Sequence, residues 1–158
     1  MNTQVEEKME AQYLIFDAGG NKFCASLEDI SEVLEVLPLR QVPSSEPSFL
    51  GIGSLRGQLI SVLDLRKRFS LPEIESAQNV ILVVEASHGF VGLKVDRVLS
   101  VASRDSGSFE SNPNYEVSVP VKFISGVFCQ NEEFIPCMAV KAMIETQKWV
   151  SPSTSDAA

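Results

Sequence analysis

The 158-residue sequence is poor in the groups that most often carry chemistry. It has one histidine, His88, and the surrounding Ser87-His88-Gly89 reads as a turn with a solvated side chain. Its three cysteines, Cys24, Cys129 and Cys137, lack zinc-ligand spacing and an activating base. They read as small buried apolar side chains. Gly19-Gly20-Asn21 is too short for a phosphate-binding loop. Basic residues are outnumbered, 13 Lys+Arg against 21 Asp+Glu, for a net charge of −8. Such a surface repels phosphate backbones and anionic lipid, which argues against nucleic acid as a partner. The longest apolar runs, such as Val80 to Val84, are far too short to cross a bilayer. The opening MNTQVEEKMEAQ has no apolar core of the signal-peptide type. These absences together predict a cytoplasmic chain with reduced thiols, no metal, no cofactor and no direct membrane insertion.

What remains is an ordinary globular composition, 44% apolar and 22% charged, at a length that suits one domain and a real core. The pattern is mostly short strands with turn punctuation. Tyr13 to Phe16 and Lys22 to Ser26 flank Gly19-Gly20-Asn21 as a hairpin. Leu27, Ile30, Val33 and Leu34 recur at helical spacing, with Ser26 as N-cap and Asp29 completing a capping box. Leu37 to Val42 reads as an edge strand because of Pro38. Ile52 to Leu55 and Gln58 to Leu63 flank Arg56-Gly57, a tight hairpin turn or glycine bulge. Asp64 is placed to cap a short helix over Leu65 to Phe69. Asn79 to Glu85 has the near-continuous apolar character of a strand buried on both faces, and Phe90 to Val95 returns from it.

Arg104 to Pro120 is polar and broken by Gly107 and Pro113, the signature of a long mobile loop. Lys122 to Phe128 and Glu133 to Val140 form a further hairpin around Gln130-Asn131, and Ala139 to Trp149 suits a C-terminal helix. Residues 1–11 and 150–158 read as flexible ends around a single domain over 12–149. Phe23 precedes Asp29 by the same interval as Phe90 precedes Asp96, an echo that suggests two similar halves, each a small curled sheet. Many short strands must hide their edges, so the expected fold is mainly β, with two small barrel-like lobes sharing one core.

Few residues stand out as chemical. Glu32, Asp64 and Asp96 include the carboxylates from which an acid–base pair between the lobes could be built, the basis for reading the chain as a small enzyme. Arg66-Lys67-Arg68 reads as a solvated basic helix face that complements a helix C-terminus. Arg56 at a hairpin tip is exposed, rigidly presented and always charged, so it reads either as surface decoration or as a docking handle.

The segment from Phe49 to Arg66, "FLGIGSLRGQLISVLDLR", resembles the signature of the CheW-like chemotaxis coupling proteins, roughly G-x-x-N-L-R-G-x-x-x-P-V-x-D-L-R. Tyr13 to Phe16, Phe23 and Asp29 to Val33 are similar to the family's opening elements. "FVGLKVDRV", from Phe90 to Val98, is similar to its G-x-x-V-D-x-V element, and Phe123 to Val127 to its late I-x-G-V strand. The resemblance spans about residues 12 to 147 in order. It implies two five-stranded SH3-like β-barrel lobes, with short helices and a C-terminal helix. It also implies a non-catalytic adaptor between the tip of a methyl-accepting chemoreceptor and the regulatory domain of a CheA-type histidine kinase, recruited to membrane-associated arrays. Matched by position, the receptor-binding residues are Ile30, Glu32 and Arg56, with Gly51 and Gly57 shaping the turn. Ser54, Ser61 and Ala139 depart from the pattern, where asparagine, proline and an acidic residue are usual. The departures leave room for a scaffold of a non-flagellar pathway, such as pilus-based motility.

Overall fold

Two antiparallel hairpins set the frame of the molecule. β1 (Gln12–Ala18) pairs with β2 (Asn21–Ser26), and β7 (Val80–Ala86) pairs with β8 (Gly89–Val95). In the computed structural model, residues 11–35, 37–43, 46–75, 78–87, 89–111 and 119–146 are described. The expected flexible ends (apart from Ala11), His88, the end of the C-terminal helix and residues 112–118 of the polar stretch before Pro120 lie outside them.

The other strands are β3 (Ile30–Leu34), β4 (Leu39–Arg40), β5 (Phe49–Leu55), β6 (Gln58–Asp64), β9 (Arg97–Ser103), β10 (Ser108–Glu110), β11 (Ile124–Gln130) and β12 (Glu133–Met138). Two short helices follow β6 and β12: α1 (Leu65–Arg68) and α2 (Val140–Thr146). The first sheet runs β10-β11-β12-β2-β1-β9 and the second β4-β5-β6-β8-β7-β3. Position by position the two orders match, down to the one parallel junction in each, β12 with β2 and β6 with β8. The chain is thus two similar halves, β1 to α1 and β7 to α2. Each half gives its first hairpin to one lobe and its other four strands to the other.

The internal echo is real, with one correction. Phe23 on β2 and Phe90 on β8 occupy corresponding strands, and Asp29 and Asp96 each stand just before the strand that crosses to the other lobe. Each sheet, however, is built from both halves. Each also holds six strands instead of five, because the short β4 and β10 extend one side.

Side-chain alternation explains the layering. On β1, Leu14, Phe16 and Ala18 enter a core shared by both lobes, while Tyr13 and Ile15 enter the first lobe. On β7, Val80, Leu82 and Val84 enter the shared core, while Ile81 and Val83 enter the second lobe. Both faces of these strands are therefore covered, as the run of β-branched residues predicts.

Three local expectations give way. Leu27–Asp29 is a single 3-10 turn, Ser26 makes no side-chain cap bond, and Ile30–Leu34 is a strand. Pairing with β7 overrides the helical spacing: a register shift between Ile30 and Glu32 turns Ile30 toward the shared core, while Val33 is left exposed. The strand expected over Leu37 to Val42 shrinks to β4. The start of the expected mobile loop is ordered: Arg104–Ser106 is a 3-10 turn and β10 pairs with β11. Phe109 holds it, stacked on Tyr13 at 5.6 Å and with the Arg104 guanidinium 5.1 Å from its ring centre.

Candidate functional site

The β5–β6 hairpin closes through a two-residue turn, with Leu55 opposite Gln58. Arg56 has φ 51° and Gly57 φ 82°. Two left-handed residues in a two-residue hairpin loop make a type I′ turn, whose twist matches that of the strands. A Cβ at Gly57 would touch nothing, so glycine is favoured there by its φ alone. Arginine is an unusual first residue for such a turn, which favours Asn, Asp or Gly. The corresponding turn in the other lobe, between β11 and β12, has Asn131 there at φ 52°.

The guanidinium of Arg56 forks onto Glu32. Nη1 donates to Oε1 and Nη2 to Oε2, each at 2.7 Å. Glu32 lies on β3, at the opposite end of the sheet order from β4 and β5. The second sheet therefore curls until its far strands are joined by an ion pair. Among the described residues no backbone ladder joins those end strands. Leu34 of β3 and Leu39 of β4 pack on the same apolar cluster inside the curl. The arginine's hydrogen bonds hold the Glu32 carboxyl below the usual glutamate range, and the same bonds raise the Arg56 pKa. The Arg56 side chain is nonetheless 71% exposed and that of Glu32 27%. An exposed pair of this kind adds little to stability. It fixes the direction in which a cation and an anion are presented.

Ile30 does not stand beside Glu32 as regular alternation would place it. The shift in register sends it, half-buried, against the shared core. Gly51, expected to shape the turn, lies within β5 instead. A Cβ there would meet the Arg40 carbonyl oxygen at 2.6 Å, so its glycine lets β4 lie against β5. Val33 at 42% exposure and Leu59 at 53% leave apolar surface on β3 and just past the turn.

Arg66 was expected in a solvated face and is instead buried, at 3% exposure. Its Nε and Nη2 donate to Asp64 at 3.0 and 2.9 Å, and Nη1 donates to Asp96 Oδ1 at 3.2 Å. Asp64 also caps α1, as its position predicted, accepting from the Arg66 backbone N–H at 2.9 Å. Arg68 lies over the rings of Phe69 and Phe123, and only Lys67 of the basic triplet is exposed. The carboxylates that might have formed an acid–base pair are thus each held by an arginine: Glu32 by Arg56, Asp64 and Asp96 by Arg66.

Ala139, just past β12, takes the place that Asp64 holds at the end of β6, so α2 starts without the carboxylate that caps α1. Ser54 is an exposed strand residue, and Ser61 is buried within β6. Among the described residues no cluster of three His, Cys, Asp or Glu could hold a metal ion, and no helix is long and apolar enough to cross a membrane.

Comparison with known proteins agrees with this architecture. The family model described as a CheW-like domain matches residues 12–148. A probable chemotaxis protein CheW of Rhizobium etli is 25% identical over 150 residues, covering 94% of this chain and 93% of that protein. Protein PilI of Pseudomonas aeruginosa is 31% identical over 123 residues, covering 76% of this chain and 68% of that protein. The crystal structure of the scaffolding protein TtCheW from Thermoanaerobacter tengcongensis superposes with a TM-score of 0.73 at 26% identity, covering 82% of this chain and 84% of the other.

Proposed function

This chain belongs to the CheW-like family, and from that premise we propose that it is a non-catalytic adaptor joining a chemoreceptor tip to the regulatory domain of a CheA-type histidine kinase. The observation that carries the reading is the forked Arg56–Glu32 pair, exposed at the rim of the second lobe and held on a turn that ordinarily prefers a smaller residue. A helical receptor tip offers an apolar stripe with charged flanks. Arg56 and Glu32 set its orientation by opposite-sign contacts, while Leu59, Val33 and the exposed flank of Ile30 meet the stripe. Charged contacts at a rim confer specificity and fast association more than affinity, which suits a reversible signalling joint. The domain that carries this work is residues 12–149, in the cytoplasm at the receptor array.

The test is co-sedimentation of the chain with a receptor cytoplasmic fragment and the kinase regulatory domain, each alone and both together. Capture of both partners in one complex is the expected result. Capture of neither would overturn the reading. Similarity to Protein PilI favours a second reading, the same adaptor chemistry in a non-flagellar pathway. Running the sedimentation with receptors of both kinds separates the two.

A further inference from the structure

Cys24 and Cys137 stand directly opposite one another, and theirs is the one in-register pair between β2 and β12. This seam is one of two places where the halves of the chain meet in the first lobe, the other being the longer β1–β9 ladder. The corresponding seam of the second lobe, β6 with β8, keeps the ladder from Ser61 opposite Val91 to Asp64 opposite Lys94. There the matching residues are Val62 and Gly92, so the fold itself has no need of sulfur at this place. Both thiols are free and buried, in the apolar cluster of Tyr13, Ile15, Ala102, Phe128 and Ile135.

We propose that Cys24 and Cys137 form an oxidisable dithiol, which hydrogen peroxide or a low-molecular-weight disulfide converts to an intrachain disulfide tying the two halves of the chain across the first lobe. Directly opposed residues on neighbouring strands are about 4.8 Å apart. That falls inside the range of about 4.4–6.8 Å between Cα atoms that a disulfide spans. The Cys24 S–H donates to the Ile135 carbonyl at 3.9 Å, within the same apolar cluster that holds Cys137. The neighbouring Cys137 and burial push the Cys24 thiol up, and Cys24 in turn brings the Cys137 thiol down, which favours Cys137 as the nucleophile. With peroxide, the Cys137 thiolate takes one oxygen to become a sulfenic acid and hydroxide leaves. The Cys24 sulfur then attacks the sulfenic sulfur and water leaves. The sum is two thiols and one peroxide to one disulfide and two waters. With a low-molecular-weight disulfide, Cys137 forms the mixed disulfide, releasing one thiol, and Cys24 resolves it, releasing the second. Both thiols are out of solvent, so entry of the oxidant is slow and needs local opening of the seam, which a single in-register pair holds.

Cys129 is only half-buried, so the test uses the full chain carrying Cys129→Ser. The protein is exposed to hydrogen peroxide or to oxidised glutathione, denatured, alkylated with iodoacetamide, and read by intact mass and peptide mapping. The expected result is a loss of about two hydrogens, roughly 2 Da, with neither thiol alkylated until dithiothreitol is added, and one cross-linked peptide joining Cys24 to Cys137. Cys137→Val, the residue type at the matching position of the second lobe, should abolish the mass loss and leave Cys24 fully alkylated. Full alkylation of both thiols after oxidation, an oxygen or glutathione adduct retained on Cys137 with Cys24 still free, or persistence of the mass loss in Cys137→Val would each overturn the proposal.

Discussion

Arg66 and Asp96 form an ion pair inside the protein, with Nη1 3.2 Å from Oδ1 and both side chains out of solvent. Asp96 sits where the chain leaves β8 for β9, and its other carboxylate oxygen accepts the backbone N–H of Gly20, in the β1–β2 turn, at 3.3 Å. Its carbonyl accepts the N–H groups of Gln78 and Asn79, and its own N–H donates to Asp17. One side chain from α1 thus holds a residue that touches the first hairpin, the entry to β7 and the crossing between lobes. The guanidinium, forked onto Asp64 as well, balances two buried carboxylates with one delocalised charge.

Replacing Arg66 by alanine leaves Asp64 and Asp96 buried without a countercharge. Removing one partner of a buried ionic group costs about 3–5 kcal/mol. Urea unfolding of Arg66→Ala should show a loss of that size, and Arg66→Lys a smaller one, because an ammonium cannot fork across both carboxylates. A loss below about 1 kcal/mol for the alanine variant would mean that the network contributes little to stability.

At the rim the same chemistry should leave stability nearly untouched while showing clearly in titration. The Glu32 carboxyl is held below the ordinary range by its bonds to Arg56, so whatever the pair contributes is present above the unfolded value and lost as pH falls through the lowered folded one. Carbon-detected NMR of the Glu32 carboxyl should give a depressed pKa in the native chain. In Arg56→Ala the value should rise toward that of a free glutamate. An unchanged titration would show that the pair does not persist in solution.

Asp29 is the first-half counterpart of Asp96 but lacks its setting. Among the described residues no buried arginine other than Arg66 is present to answer it, and Ala139 stands where Asp64 does in the other half. Burial raises the Asp29 carboxyl above its ordinary value, with the Lys141 charge opposing and Glu28 adding to the rise. A raised acid stabilises the fold below its unfolded pKa, and that contribution is lost as pH rises through the folded value. Asp29→Asn should therefore be more stable than the native chain at neutral pH, and the advantage should vanish in acid. Thermal melts at pH 7 and pH 3 test this; an advantage that persists in acid would assign the gain to something other than charge.

The contrast between these arginines shows what a sequence can reveal. The Arg56-Gly57 turn is legible because glycine between two apolar runs is a local signal, and Asp64 is legible as a cap for the same reason. Arg66 is not, since Arg66-Lys67-Arg68 looks uniformly basic. What separates the first from its neighbours is a carboxylate 30 residues away, brought in by a strand crossing. Leu27 to Leu34 misleads similarly: its apolar residues have helical spacing, but a 3-10 turn and a bulged strand form there because of pairing with β7, and Val33 is left exposed. The family resemblance singles out Arg56 and Glu32 one by one. Their contact with each other depends on the curl of a whole sheet.

The matched turns suggest a way to separate docking from folding at Arg56. Asn131 occupies the same left-handed position in the other lobe, so Arg56→Asn installs a residue that the turn already accepts in this chain. The exposed ion pair is lost, and solvent screening makes that loss small. Relief of backbone strain at a positive φ offsets a comparable amount. The melting temperature should therefore barely move. Binding to the receptor fragment should weaken by about 2 kcal/mol, roughly thirtyfold, if Arg56 is an interface anchor. Calorimetric or sedimentation titration of the variant gives the answer directly, and its melt shows whether the fold is intact. Native binding with a native melt would leave Arg56 as decoration, and the docking surface would have to be sought elsewhere on the lobes.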